Sequence, residues 1–420
     1  MTLRTGDRQL IKEMNIALVM NVILQHTPIS RVEIAERTKL GRSTVTGIIN
    51  RLLSLGLVQE IGSAESVSGR RPVLLTFNSH SLYAIGIKIA SRSAIVALVN
   101  LQAEVIQTEE AALNPRGGVE EVAATLKQLI HAVTTKAGVP PEKLLGVGIA
   151  MPGVINPHTG TAITSYFLGW ADLPIRDLLE KELDLPVYVD NDANAMALAE
   201  ALYGAGRGAG DVVGVTVGVG IGAGIVLGGQ IHHGKQFGAG ELGHTCVLRD
   251  GPVCACGRRG CLEAVAADAA VVRRAREAVL SGRSPLLHSM VQGHPELITR
   301  EVVVEAAQAG DEMALEVLAE SGRWLGVALA NVITFLNPSR IVIGGEAILQ
   351  AGDLILEPMR RIMQETVYPA PAGPLPVVQA ALGRHAWVQG AAALVMADAF
   401  RVPLHEKDTV AMASRVGQNS

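Results

Sequence analysis

The chain has 420 residues, enough for two or three domains, and its 49% hydrophobic and 18% charged side chains can fill a sizeable core. Aromatic residues make up only 3%, which argues against a carbohydrate platform or a base-stacking surface built from rings. The formal net charge of −4 hides an asymmetry: residues 1–80 hold 10 Lys/Arg against 6 Asp/Glu, and the rest holds 26 against 34. A basic head on an acidic body suits a DNA-reading module joined to a sensor.

The N-terminus is polar and charged through Lys12 and Glu13, so no signal peptide is read there. The longest apolar stretches are interrupted by glycines and polar residues and do not read as membrane spans. The cysteines all fall within 246–261, too local for a disulfide framework. A cytoplasmic protein that uses its thiols for metal is the expectation.

Residues 8–26 place Ile11, Met14, Leu18 and Val22 at helical spacing, and Pro28 stops the run. Ser30 with Glu33 is a capping box opening a second helix that ends at Thr38. Lys39-Leu40-Gly41 predicts a tight turn with Gly41 as its left-handed residue. A third helix, Arg42 to Leu55, turns Val45, Ile48, Ile49, Leu52 and Leu53 inward. Its first turn exposes Arg42, Ser43, Thr44 and Thr46, the short polar and basic side chains a recognition helix presents to base edges and phosphates. Strands at 57–61 and 72–77 flank a Ser/Gly-rich loop ending Gly69-Arg70-Arg71-Pro72. That loop reads as a wing whose Arg70 and Arg71 reach a minor groove or phosphates. Residues 1–80 are thus expected to form a winged helix-turn-helix domain that binds operator DNA.

Residues 83–109 read as three consecutive strands with tight turns, and 212–232 repeat the scheme with glycines replacing side chains. Helical segments follow at 118–137, 264–281, 301–320 and 322–335, and single strands at 144–150, 186–190, 340–343 and 377–380. Two units of like order predict two similar α/β lobes facing a cleft. The first spans 81–190 and is completed by 385–410, where the helix Ala386–Phe400 returns; the second spans 191–384. The strand ends at Met151-Pro152-Gly153 and Asn191-Asp192 are expected at that cleft.

Cys254, Cys256 and Cys261 offer three thiolates, with His244 or Cys246 as a fourth ligand. Such a set predicts a closed, structural zinc that does not activate water. Glu241 lies three residues before His244 and Glu263 two after Cys261, so the metal loop would hold both carboxylates. Together with Asn191, Asp192 and the His244 imidazole they describe a polyol site, because sugar hydroxyls need donors and acceptors at set positions. Asp192 could also serve as a general base, deprotonating a hydroxyl for attack on phosphate. The run Gly218-Val219-Gly220-Ile221-Gly222-Ala223-Gly224 is either a phosphate cradle or a tight hairpin.

The runs CACGRRGCLE, GAGELGH and DNDANA together resemble the ROK family of repressors and kinases, and the resemblance spans nearly the whole chain. It implies an α/β fold of two lobes, actin-like and ribonuclease H-like, behind the winged helix-turn-helix head. It implies that His244, rather than Cys246, joins Cys254, Cys256 and Cys261 around zinc, and that Asn191, Asp192, Glu241, His244 and Glu263 bind a monosaccharide or amino sugar. Members with such a head look like sugar-responsive repressors, so a homodimer or homotetramer on operator DNA is expected. Kinase members begin the first lobe with Asp-X-Gly-Gly-Thr-Lys, whereas this chain reads Ala84-Ile85-Gly86-Ile87-Lys88-Ile89 and has Val219 where the second phosphate loop carries threonine. The expectation is therefore a regulator and not an enzyme; the alternative is a sugar kinase with Asp192 as base that retains a DNA-binding head. Phe167 stands where many members have asparagine before Leu-Gly-Trp.

Overall fold

The computed structural model describes residues 8–63, 73–368 and 377–399. Arg70 and Arg71, the expected wing loop around them, Phe400 and the tail beyond it lie outside the described residues. The chain divides into two compact units, one taking residues to 149, 174–189 and from 391, the other 150–173 and 190–390.

The head runs α1 (Arg8–His26), β1 (Ile29–Ser30), α2 (Arg31–Thr38), α3 (Arg42–Ser54), β2 (Val58–Ser63) and β3 (Val73–Phe77). Its three strands form an antiparallel sheet in the order β1-β3-β2. The short β1 is not legible in the sequence, since two residues carry no alternation. Ser30 starts α2 as the capping box predicts: its hydroxyl accepts the Glu33 N–H at 3.3 Å, and the Glu33 carboxylate accepts the Ser30 N–H at 2.9 Å. Val45, Ile48, Ile49 and Leu52 form the buried stripe of α3, with Leu53 only half-buried at its edge. The left-handed residue of the turn is Lys39 (φ 59°), not Gly41, which is extended (φ −60°, ψ 142°). Gly41 must be extended to serve as the N-cap of α3. The reversal therefore falls on the exposed, unbranched Lys39.

The body continues with β4 (Tyr83–Ile89), β5 (Ser93–Asn100), β6 (Val105–Ala112), α4 (Val119–Ala137) and β7 (Leu144–Met151). A small antiparallel meander follows, β8 (Val154–Asn156), β9 (Thr161–Ser165) and β10 (Trp170–Leu173), then α5 (Ile175–Leu183), β11 (Val187–Asn191) and α6 (Asp192–Tyr203). Next come β12 (Asp211–Val217), β13 (Ile221–Leu227), β14 (Gln230–Ile231), α7 (Leu262–Ala266), α8 (Asp268–Leu280), α9 (Pro285–Met290) and α10 (Arg300–Gln308). The chain closes with α11 (Glu312–Leu336), β15 (Arg340–Gly344), α12 (Glu346–Ala351), α13 (Asp353–Thr366), β16 (Val377–Gln379) and α14 (Ala386–Ala399).

The internal repeat is visible in the sheets. One has the order β6-β5-β4-β7-β11 and the other β14-β13-β12-β15-β16. Each is an antiparallel three-strand meander extended by two later strands; in the second, those two run parallel to β12. The glycines of β12 and β13 let α6 lie close on the second sheet. A Cβ at Gly214 would stand 2.6 Å from the Ala197 methyl, and one at Gly224 would stand 2.5 Å from the Ala193 carbonyl oxygen. Matching alanines at 193, 195, 197 and 199 are buried on α6.

Two helix boundaries differ from expectation. The segment 264–281 is interrupted at Ala267, which is extended and ends α7 before α8 begins. The break expected near residue 321 instead falls at 309–311, where Asp311 caps α11 by accepting the Ala314 N–H at 2.8 Å. Gly322, which suggests a break in the sequence, sits inside α11 because α13 crosses there; a Cβ on it would meet the Ile355 carbonyl oxygen at 2.3 Å. Among the described residues, no helix is long and apolar enough to cross a membrane.

Candidate functional site

The site is built within one compact unit, around the start of α6. Asn191 is the N-cap of that helix: its Oδ1 accepts the N–H groups of Ala193 at 2.8 Å and Asn194 at 3.2 Å, and its Nδ2 donates to the Gly153 carbonyl at 2.9 Å. Two strand ends that the sequence placed together, Gly153 and Asn191, are therefore joined by one amide. Asp192 follows as the first helical residue, half-buried, with its carboxylate at the positive end of the helix dipole.

Glu241 precedes the one-turn 3-10 helix Leu242–His244. Burial pushes its carboxyl above the usual range, His244 opposes this, and Asp192 and Glu263 add to it, so three carboxylates share the site. The side chain is 41% exposed. His244 faces two ways. Its Nε2 lies 3.8 Å from Glu241 Oε2 and its Nδ1 lies 3.7 Å from Cys254 Sγ.

His244, Cys254, Cys256 and Cys261 place their donor atoms within 4.8 Å of one another. Cys256 Sγ and Cys261 Sγ are 3.7 Å apart, too far for a disulfide. That spacing matches the roughly 3.8 Å edge of a tetrahedron whose thiolates lie about 2.3 Å from an ion. Cys246 is exposed and lies outside that group. Burial raises the Cys254 thiol, and burial with the neighbouring thiols pushes Cys261 up to about 12. A cation bound among them would favour the thiolate forms of Cys254 and Cys261. The donor set fits a metal ion.

Glu263, in the first turn of α7, ties the cysteine loop to the glycine turn: Oε2 accepts the Ile221 N–H at 3.2 Å and Oε1 lies 3.8 Å from Cys254 Sγ. A Cβ at Gly220 would stand 2.8 Å from Glu263 Oε2 and 3.8 Å from the tip of the half-exposed Phe167 ring. In that turn the Gly218 N–H is spent internally on the Gly220 carbonyl at 3.0 Å, and Val219 is exposed at its tip. Ala84 and Ile87 are fully buried in β4.

Asp190 is a member that sequence reasoning missed. Its carboxylate is 2% exposed; Oδ2 lies 2.7 Å from His233 Nε2, and Oδ1 accepts the Asn191 N–H at 2.7 Å and an Asn194 amide N–H at 2.9 Å. The available signal was an acid ending the apolar strand VYVD, since a buried charge requires a partner.

In the head, Arg42, Ser43, Thr44 and Thr46 are all exposed around the first turn of α3. The Thr46 hydroxyl donates to the Arg42 carbonyl at 2.8 Å. No side chain caps that helix start, so its first N–H groups remain open to a phosphate. Arg31 meets Glu60 at 3.0 Å and ties the start of α2 to β2.

The family model described as "ROK family" matches residues 84–398. The xylose repressor of Caldicellulosiruptor bescii is 32% identical over 95% of this chain and 99% of its own length. Two solved structures are similar. A ROK family transcriptional regulator described as a homolog of the E. coli MLC protein has a TM-score of 0.80 and 28% identity, over 95% of this chain and 99% of its own. The ROK family glucokinase of Streptomyces griseus, in complex with glucose and AMPPNP, has a TM-score of 0.67 and 30% identity, over 74% of this chain and 98% of its own. The body of this chain thus has the α/β fold of that glucokinase and of the regulator.

Proposed function

The chain belongs to the ROK family, and on that premise we propose that it is a sugar-responsive transcriptional repressor. The head binds operator DNA through Arg42, Ser43, Thr44 and Thr46 of α3, with Arg70 and Arg71 as wing contacts. A monosaccharide or amino sugar binds among Asn191, Asp192, Glu241, His244 and Glu263. Zinc held by His244, Cys254, Cys256 and Cys261 is structural; it fixes the loop that presents Glu241 and Glu263.

The observation that carries the reading is the dual engagement of His244. Its Nδ1 faces the thiols and its Nε2 faces Glu241. His244 would hold a metal through Nδ1, which would leave Nε2 directed at the acidic cluster, the outer-shell arrangement by which a metal site positions its neighbours. Carboxylates accept hydrogen bonds from sugar hydroxyls, and the Nε2–H of a ring bound to metal through Nδ1 donates one.

A response to sugar requires that it bind the DNA-holding and DNA-free states unequally; equal affinity shifts nothing. A homodimer is part of the proposal, because winged helices of this kind read paired half-sites. The second reading, ATP-dependent phosphorylation of the sugar with Asp192 as base, is favoured by the likeness to the S. griseus glucokinase. Against it stand Ala84, Ile87 and Val219, which lack the acid, glycine and threonine that handle phosphates in kinase members. Phosphoryl transfer depends on that positioning.

Thermal midpoints of the zinc-loaded protein with monosaccharides, amino sugars and Mg-ATP separate the readings. Stabilisation by a sugar that also changes operator affinity supports the repressor. A clear shift with Mg-ATP, followed by ADP formation with a sugar, supports the kinase.

A further inference from the structure

Glu241 belongs with Asp192 and Glu263 to the proposed sugar site, so the spacing of these carboxylates depends on how the segment bearing Glu241 is held. That segment, 232–244, has an anchor at each end. Downstream, His244 sits against the cysteine cluster, with Nδ1 3.7 Å from Cys254 Sγ. Upstream, His233 Nε2 lies 2.7 Å from Asp190 Oδ2, on a carboxylate that is 2% exposed.

Asp190 stands just before the N-cap Asn191 and two residues before Asp192, and its other oxygen is taken by the Asn191 N–H and the Asn194 amide. His233 therefore reaches the root of the element that presents Asp192. The backbone carries the constraint forward: the Ala239 N–H donates to the His233 carbonyl at 3.1 Å, and the Ala223 N–H donates to the Gly240 carbonyl at 2.9 Å. Gly240 has φ 91°, and a Cβ on it would meet the Ala223 carbonyl oxygen at 2.0 Å, so the chain just before Glu241 is seated tightly on β13.

We propose that His233 is a positioning residue of the sugar site: acting through Asp190, it holds the Glu241 segment to the strand end that carries Asp192 and so sets the separation of the two carboxylates. The inference rests on the sugar reading above. A hydrogen bond to a buried carboxylate is among the stronger contacts a side chain makes, and removing the donor leaves that oxygen unpaired.

The test is calorimetric titration of full-length, zinc-loaded protein with D-xylose, D-glucose and N-acetyl-D-glucosamine. Whichever sugar the native protein binds best should bind about tenfold more weakly to His233→Ala. His233→Gln, whose amide N–H can reach the same oxygen, should recover to within about threefold of native. Metal content should stay the same in all variants, and hydrogen exchange in His233→Ala should quicken at amides 234–241 and not at 254–261. Native affinity in His233→Ala overturns the proposal. So does a Gln variant no better than Ala. Should His233→Ala not fold, Asp190→Asn takes its place: weaker sugar binding supports the link and native affinity overturns it. If the native protein binds none of the three sugars, the sugar reading itself fails and the role of His233 falls with it.

Discussion

Glu263 accepts the Ile221 backbone N–H at 3.2 Å through one oxygen and turns the other toward Cys254 Sγ at 3.8 Å. One carboxylate thereby spans the glycine turn before β13 and the metal loop. Ile221 and Glu263 are 42 residues apart along the chain, and the two contacts together constrain where the charge stands.

Gly220→Ala tests that span. The new methyl would stand 2.8 Å from Glu263 Oε2, and the far end of that side chain can move where backbone cannot. The expected outcome is a folded protein with intact metal and sugar affinity reduced by about tenfold, since a displaced carboxylate loses its hydrogen bonds. Unchanged affinity would place the sugar away from this turn.

Glu263→Ala removes the group outright. Sugar response should disappear while DNA binding and metal content persist, measured by operator gel shift with and without sugar. A variant that still releases DNA on adding sugar would exclude Glu263 from the site.

Metal removal should act on the sugar site through geometry. Chelation, or Cys256→Ser, frees the loop that carries His244 and leads into Glu263. The thermal midpoint should fall by roughly 5–10 °C, the shift that about 2–3 kcal/mol gives in a domain of a few hundred residues. Sugar binding should weaken with it. A chelated protein with native sugar affinity would show that the loop keeps its shape unaided.

Arg42→Ala should weaken operator binding by about tenfold and lower the dependence of log K on log salt by roughly one, as expected when one phosphate contact is lost. Zinc content and sugar affinity should not change. Native DNA affinity would undo the assignment of α3 as the recognition helix.

Ser30→Ala removes the cap of α2 and should cost about 1 kcal/mol of head stability at neutral pH. The Glu33 carboxyl is held below its usual 4.5 by hydrogen bonds from the Ser30 backbone and hydroxyl. A lowered folded value means that the contribution is present above the usual Glu range and is lost as pH falls through the folded value. The difference between native and Ser30→Ala proteins should therefore narrow in acid, followed by hydrogen exchange at the amides of α2. A gap that stays constant down to about pH 3 would show that the carboxylate takes no part.

Local patterns in the sequence were enough for the helices of the head, the Ser30 cap, the repeated strand meanders and the cysteine cluster. Each depends on spacings of a few residues, and backbone geometry translates such spacings directly into faces and caps. Tertiary structure alone decided what depends on neighbours from elsewhere in the chain. It kept Gly322 inside α11, because α13 crosses there. It placed His244 with the thiols and left Cys246 exposed. It also paired His233 with Asp190 across 43 residues. A buried charge must find a partner, but the sequence does not say which side chain the fold will bring within 3 Å of it.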